Sequence, residues 1–220
     1  MSLSMLDKYA QAFLQTLTMV GISAAIAIIA GLTLAVVLTV TAPGNLYPKP
    51  RLNKALSVTV NTFRAIPFII LLVAMLPFTR MLVGTTLGTW AAIVPLSANL
   101  VPFFARIAQV SLNDVDHGLV EAARAMGCRR WHIVRHVLLP EALPGIIGGM
   151  TVSVIAMINA SAMAGAVGAG GLGDLAIRYG YERYETRVMF EVIVILIALV
   201  SIVQFLSLIH ISEPTRRRGI

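Results

Sequence analysis

The sequence predicts an all-α membrane protein with five transmembrane helices, and three observations carry that expectation. The 220 residues are 58% hydrophobic and 12% charged, with a mean hydropathy of +0.86, which leaves too little polar surface to cover a water-soluble domain of this size. The apolar residues gather into runs long enough to cross roughly 30 Å of hydrocarbon, which takes about 20 residues at about 1.5 Å each. The basic residues, which give a net charge of +7, concentrate in alternate connections between those runs.

In chain order, the spans are expected near Ala12–Val40, Ser57–Phe78, Leu82–Ile107, Leu143–Val167 and Val188–Phe205. The first is not expected to be a cleaved signal. No Asp, Glu, Lys, Arg or His occurs between Tyr9 and Pro48, a stretch far longer than the about 7–15 residues of a signal core, and no small-residue cleavage site follows a short one. Lys49, Arg51 and Lys54 follow the first span, with Arg64 just inside the second. Arg106, Arg124, Arg129, Arg130 and Arg135 lie between the third and fourth. Both connections are expected on the cytoplasmic side of a bacterial inner membrane, with the N-terminus outside and the C-terminus inside. Arg80 alone marks one outer loop. Arg178, Arg183 and Arg187 in the other are offset by Asp174, Glu182 and Glu185.

Pro67, Pro77, Pro95 and Pro102 fall in or beside the second and third spans, where each removes a backbone donor and bends the helix. Gly145 and Gly149 form a small-xxx-small pair in the fourth span, and Ala160, Ala164 and Gly168 continue that spacing on another face, for helix packing or for pore lining. Met163 is the one bulky side chain in Ser161-Ala162-Met163-Ala164-Gly165. It fits either an apolar gate between two copies of the chain or ordinary core filling.

Residues 108–142 form the longest connection. Asp114 or Asp116 can cap a helix start, and Leu119, Ala122, Ala123 and Met126 recur at helical spacing. Gly127 can take the left-handed conformation that ends a helix. After the turn, Trp131, Val134 and Leu138 repeat at the same spacing until Leu139-Pro140 interrupts it. The expected product is a helix-turn-helix at the membrane surface, offering an apolar ridge to another protein. If Glu121 were only a surface residue, it would pair with Arg124 three positions on.

Glu121-Ala122-Ala123, then Gly127, then Val137-Leu138-Leu139-Pro140 resemble the EAA loop of binding-protein-dependent ABC-importer permeases. Phe63-Arg64-Ala65-Ile66-Pro67-Phe68-Ile69-Ile70-Leu71-Leu72, Pro77-Phe78-Thr79-Arg80, Ala92-Ile93-Val94-Pro95-Leu96 and the run Ser161–Gly173 are similar to the methionine-importer members of that family. The resemblance implies a transmembrane domain over residues 1–205 and a coupling loop over 108–142. Glu121, Ala122, Ala123, Met126, Gly127, Leu139 and Pro140 would meet the ATPase. It further implies a homodimeric pore, two partner ATPase subunits that carry ATP and Mg, and an extracytoplasmic methionine-binding protein. Another small amino acid or a peptide would be an alternative cargo. A self-sufficient secondary transporter would carry inverted repeats or buried intramembrane charges, and neither is evident in the sequence.

Other signals are weaker. Gly168-Ala169-Gly170-Gly171-Leu172-Gly173 matches a dinucleotide fingerprint in letters but leaves a membrane span instead of a strand, so a flexible helix end is expected. No G-x-x-x-x-G-K-[ST] phosphate loop occurs, so no cofactor and no catalytic residue is expected on this chain. His132 and His136 share a helix face but stand among arginines without a third ligand, so no metal is expected there. No aromatic-basic interleaving points to nucleic acid. Cys128 is expected to be a reduced thiol, and Glu191 to snorkel toward the membrane interface. Residues Leu206–Arg216 read as the in-frame translation of a transposon sequencing adapter, so 206–220 is expected to be a non-native tail.

Overall fold

A computed structural model describes residues 3–217, with side chains over 5–207. Every element among the described residues is helical. Helix α1 (Leu3–Val40) has 38 residues, more than the bilayer needs, so its first turns reach past the hydrocarbon.

The second span differs from expectation. It is broken into α2 (Pro50–Ala65) and α3 (Phe68–Ala74), bent by 103°. Proline explains the break: the ring of Pro67 excludes the helical conformation at the residue before it, and Ile66 is extended at φ −81°, ψ 125°. Pro77 then sits in the first turn of α4 (Leu76–Val83), where its missing N–H costs nothing, and Gly84 ends that helix at φ +82°. The third span consequently starts at Thr89 and not near Leu82, giving α5 (Thr89–Asn113), which keeps Pro95 and Pro102 inside a continuous helix. Four unbroken helices are long and apolar enough to cross a membrane, and α2 with α3 makes a fifth, bent one.

Helix α6 (His117–Ala125) and the short α7 (Arg130–Ile133) form the helix-turn-helix. Here the expected stop at Leu139-Pro140 is not observed. The backbone widens into a π-type turn over Val134–Leu138, where the Leu139 N–H reaches back to the Val134 carbonyl, and continues directly as α8 (Leu139–Ala164). The wider turn makes room for the Pro140 ring at the start of α8, so a proline that would stop a regular helix only re-phases this one. Beyond Ala164 the chain loosens at Val167 and Gly168, forms α9 (Gly171–Leu175), and enters α10 (Thr186–Arg217). Helix α10 runs on through Leu206, with no backbone break where the tail was expected to begin. Side chains of the tail from Leu208 onward lie outside the described residues.

Helix α5 is the central post, packed between α1 and α8. A Cβ at Gly31 would lie 2.9 Å from Phe104 and 3.0 Å from the Val101 carbonyl, so that glycine lets α1 and α5 touch. Gly145 and Gly149 do the same for α8, with Ser111 and Ile107 of α5 filling the space. One apolar cluster joins Met19, Leu96, Met157 and Ala164 toward the end that carries the glycine run; another joins Phe104, Leu112, Ile133 and Leu138 toward the basic end. Glu191 does not snorkel freely. Its carboxylate accepts a hydrogen bond from the Tyr9 hydroxyl at 2.6 Å and another from Arg187 Nε at 2.8 Å, pinning α10 to α1.

Candidate functional site

The helix-turn-helix is built by local chemistry at both ends. Asp116, one of the two expected caps, accepts a hydrogen bond from the Gly118 N–H at 2.8 Å and starts α6. Gly127 ends it at φ +77°, with the Gly127 N–H on the Arg124 carbonyl at 2.9 Å and the Cys128 N–H on the Ala123 carbonyl at 3.1 Å. Those two bonds are the Schellman pattern, which requires a left-handed residue at that point.

The helix presents two faces. Val120 and Ala123 are buried in one cluster with Leu112 near the end of α5 and Leu138 in the π-type turn, which seats α6 on α7 and the turn that leads into α8. Leu119, Ala122 and Met126 face outward, with Met126 76% exposed. The expected apolar ridge is therefore divided: Ala123, Val134 and Leu138 turn inward, while Leu119, Ala122, Met126 and Trp131 stay available. Leu139 packs against the buried cluster and Pro140 is exposed beside it. Glu121 stands on the outward face. The two ion pairs among the described residues are Arg178–Asp174 and Arg187–Glu191, so the Glu121–Arg124 pair does not form.

The surrounding surface is basic. Arg130 stacks over the Tyr47 ring at 5.2 Å, holding the second connection against the first. The rings of His132 and His136 lie 5.0 Å apart, and no group of three metal-ligating side chains occurs among the described residues.

Met163 lies elsewhere, on α8, away from α6 and the turn that follows it. It is 46% exposed, in line with Val152 and Asn159 on a helical stripe that stays exposed among the described residues, whereas Met157 is 1% exposed in the core. Sequence reasoning passed over Asn159, whose signal was its seven-residue spacing from Val152 and four-residue spacing to Met163. It also passed over Gln15 and Thr16, whose side chains accept hydrogen bonds from the Gly171 and Leu172 N–H groups at 2.8 and 2.9 Å. The glycine run is thus not a loose helix end. A Cβ on Gly165 or Gly173 would collide with backbone of the facing segment, so α9 packs tightly on the end of α8.

A bent bundle of membrane-crossing helices, with a capped helix and an unpaired carboxylate exposed between its third and fourth spans, defines the membrane component of a transport machine. The chain belongs to the family of binding-protein-dependent transport system inner membrane components, matching it over residues 27–217. It is 48% identical over 190 residues to the probable D-methionine transport system permease protein MetI of Vibrio cholerae, covering 86% of this chain and 84% of that one. It is 42% identical over 170 residues to the methionine import system permease protein MetP of Bacillus subtilis, covering 77% of each. Among solved structures, an inward-facing conformation of the MetNI methionine ABC transporter superposes with a TM-score of 0.95 at 45% identity, over 97% of this chain and 99% of that one. An amino acid ABC transporter at 22% identity and a TM-score of 0.72 shares the fold.

Proposed function

We infer that this chain is the membrane-spanning subunit of an ATP-driven importer that carries methionine, of either hand, from the extracytoplasmic side to the cytoplasm. The single observation that carries this reading is α6: a capped, glycine-terminated helix seated by Val120 and Ala123, with Glu121 and Met126 turned outward, in a chain close in sequence to methionine permeases.

In this reading α6 is the coupling helix. The outward residues Leu119, Glu121, Ala122 and Met126 enter a groove on a partner ATPase, which holds the ATP and Mg. The inward residues Val120 and Ala123 transmit the partner's movement to α5 and α8, because a close-packed cluster moves as a body and does not absorb displacement. Leu139 and Pro140 set where the push enters α8. Two copies of the chain meet about a two-fold axis through the uncovered faces of α3 and α8, with two ATPases below and an extracytoplasmic methionine-binding protein above. The α8 stripe then faces the axis, and the paired Met163 side chains form an apolar gate that parts when the coupling helices approach. The basic connections at Lys49 and Arg129 lie in the cytoplasm, and the connection at Gly180 lies outside.

The test is reconstitution with the cognate ATPase and binding protein in liposomes, followed by uptake of labelled methionine. Wild type should import methionine only with ATP, and Glu121→Lys should lose at least about tenfold in uptake, the scale of a charge-assisted contact turned repulsive. Wild-type uptake of a different amino acid in preference to methionine would refute the cargo. Glu121→Lys importing at the wild-type rate would refute the coupling role.

A further inference from the structure

The end of the bundle opposite α6 holds a polar cavity of about 400 Å³ that the coupling and gating roles leave unused. Two helical faces confront each other across it. Lys8, Gln11 and Gln15 come from one side of α1; Asp174, Arg178 and Tyr179 come from α9 and the turn that follows it. The floor is glycine backbone at Gly168, Gly170 and Gly171, at φ +88°, +81° and +81°, interrupted by Ala169. Only glycine suits that floor: a Cβ on Gly170 would come within 2.8 Å of Gln15 Oε1, and one on Gly171 within 2.7 Å of Thr16 Oγ1. The floor is also held in place, by the Gln15 and Thr16 hydrogen bonds and by the Gly88 N–H on the Gly168 carbonyl at 2.9 Å.

The walls carry both signs of charge, and each charged group keeps capacity to spare. Lys8 Nζ donates to the Tyr179 hydroxyl at 2.9 Å, which draws that phenol below its ordinary range, and has two further N–H groups. Arg178 Nη2 donates to Asp174 Oδ1 at 2.9 Å, leaving Asp174 Oδ2 and the rest of the guanidinium. Gln15 uses its oxygen on the floor, so its amide N–H groups are spare. A ligand with one negative and one positive end therefore exchanges water for protein at both ends without breaking a protein contact. An anion alone would use the spare donors of Lys8 and Arg178 but leave Asp174 Oδ2 without a ligand contact, and a cation alone would use Asp174 Oδ2 but leave those donors without one.

We propose that this cavity is a reception site for a zwitterionic α-amino acid, with its carboxylate between Lys8 and Arg178 and its ammonium on Asp174. The proposal rests on the importer reading, which puts this end of the bundle outside, where substrate arrives. Neither Met163 nor any other residue of the α8 stripe lines the cavity, so it is a station beside the pathway and not the gate. What remains of the lining for the side chain of the ligand is Ala12, Thr89, Ala169, Leu175 and glycine backbone, small groups that make a weak third anchor. Two strong anchors and one weak one fix the backbone of an amino acid but barely distinguish its two hands.

The experiment uses the whole transporter, permease with ATPase, in lipid nanodiscs without binding protein, and reads saturation transfer from protein to L-methionine by NMR. Transfer is expected in wild type, with D-methionine competing within about threefold. Methioninol, which lacks the carboxylate, and N-acetylmethionine, which lacks the ammonium, should each lose about five- to tenfold, as should Lys8→Met and Asp174→Asn. Lys8→Arg should restore binding and so exclude misfolding as the cause. Absent transfer in wild type, equal binding of methioninol, or unchanged binding in both variants would overturn the proposal. ATP-driven methionine uptake without transfer at this cavity would remove only this site. Amino-acid binding here without methionine uptake would remove the importer reading instead.

Discussion

Replacing Gly127 isolates the contribution of one backbone angle to coupling. At φ +77° the residue lies where an L side chain costs about 1–2 kcal/mol, yet a Cβ there meets nothing within 4 Å. Gly127→Ala therefore carries a torsional cost without a clash. That cost shifts the balance between the capped and frayed ends of α6 by a factor of about 5–30. Gly127→Val adds the stiffness of a β-branched side chain and shifts it further, whereas Gly127→Asn is tolerated because asparagine visits this region readily. Global stability changes little, since Val120 and Ala123 keep α6 seated. Reconstituted with its ATPase, the transporter should move less methionine per ATP hydrolysed, in the order wild type, Asn, Ala, Val, with Val down at least about fivefold. Wild-type coupling in the Val variant would refute the reasoning. So would an Asn variant as damaged as Val, because the left-handed angle would then not be what matters.

The remaining expectations concern Met163, the topology and the Tyr9–Glu191 hydrogen bond. In a Cys128→Ser background, Met163→Cys should crosslink to its symmetry mate in the resting state and much less with ATP trapped, while Met157→Cys, buried in the core, should not crosslink at all; the reverse pattern would place the axis elsewhere. A membrane-impermeant thiol reagent on intact spheroplasts should label Gly180→Cys and miss Arg130→Cys, and the opposite result would invert the topology. Tyr9→Phe removes the 2.6 Å hydrogen bond that ties α1 to the Glu191 carboxylate and should lower stability by about 1–2 kcal/mol, read as a lower thermal midpoint in detergent. An unchanged midpoint would mean that Arg187 alone satisfies Glu191.

Composition and local pattern alone determined that this chain lives in lipid, that about five runs of it are apolar enough to cross, and that a short helix starts near Asp114 or Asp116 and ends at Gly127. Those features are set within a few residues: about 20 apolar positions suffice to cross a bilayer, and Asp116 and Gly127 cap α6 through bonds to their immediate neighbours. Only the tertiary structure decided which side of a helix faces what. Periodicity groups Ala123 with Met126, but the packing of α6 on Leu112 and Leu138 buries the first and exposes the second. The two prolines show the same division. Pro67 breaks its span because its ring holds Ile66 extended, while Pro140 does not, because a π-type turn next to buried Val134 and Leu138 absorbs the ring and keeps one helix running on as α8. Gly173 reads in sequence as part of a flexible helix end, and Gly165 as one of a run of small residues. In the folded chain they are the closest contacts of all, because the space a missing Cβ leaves is taken by a segment that only folding brings near.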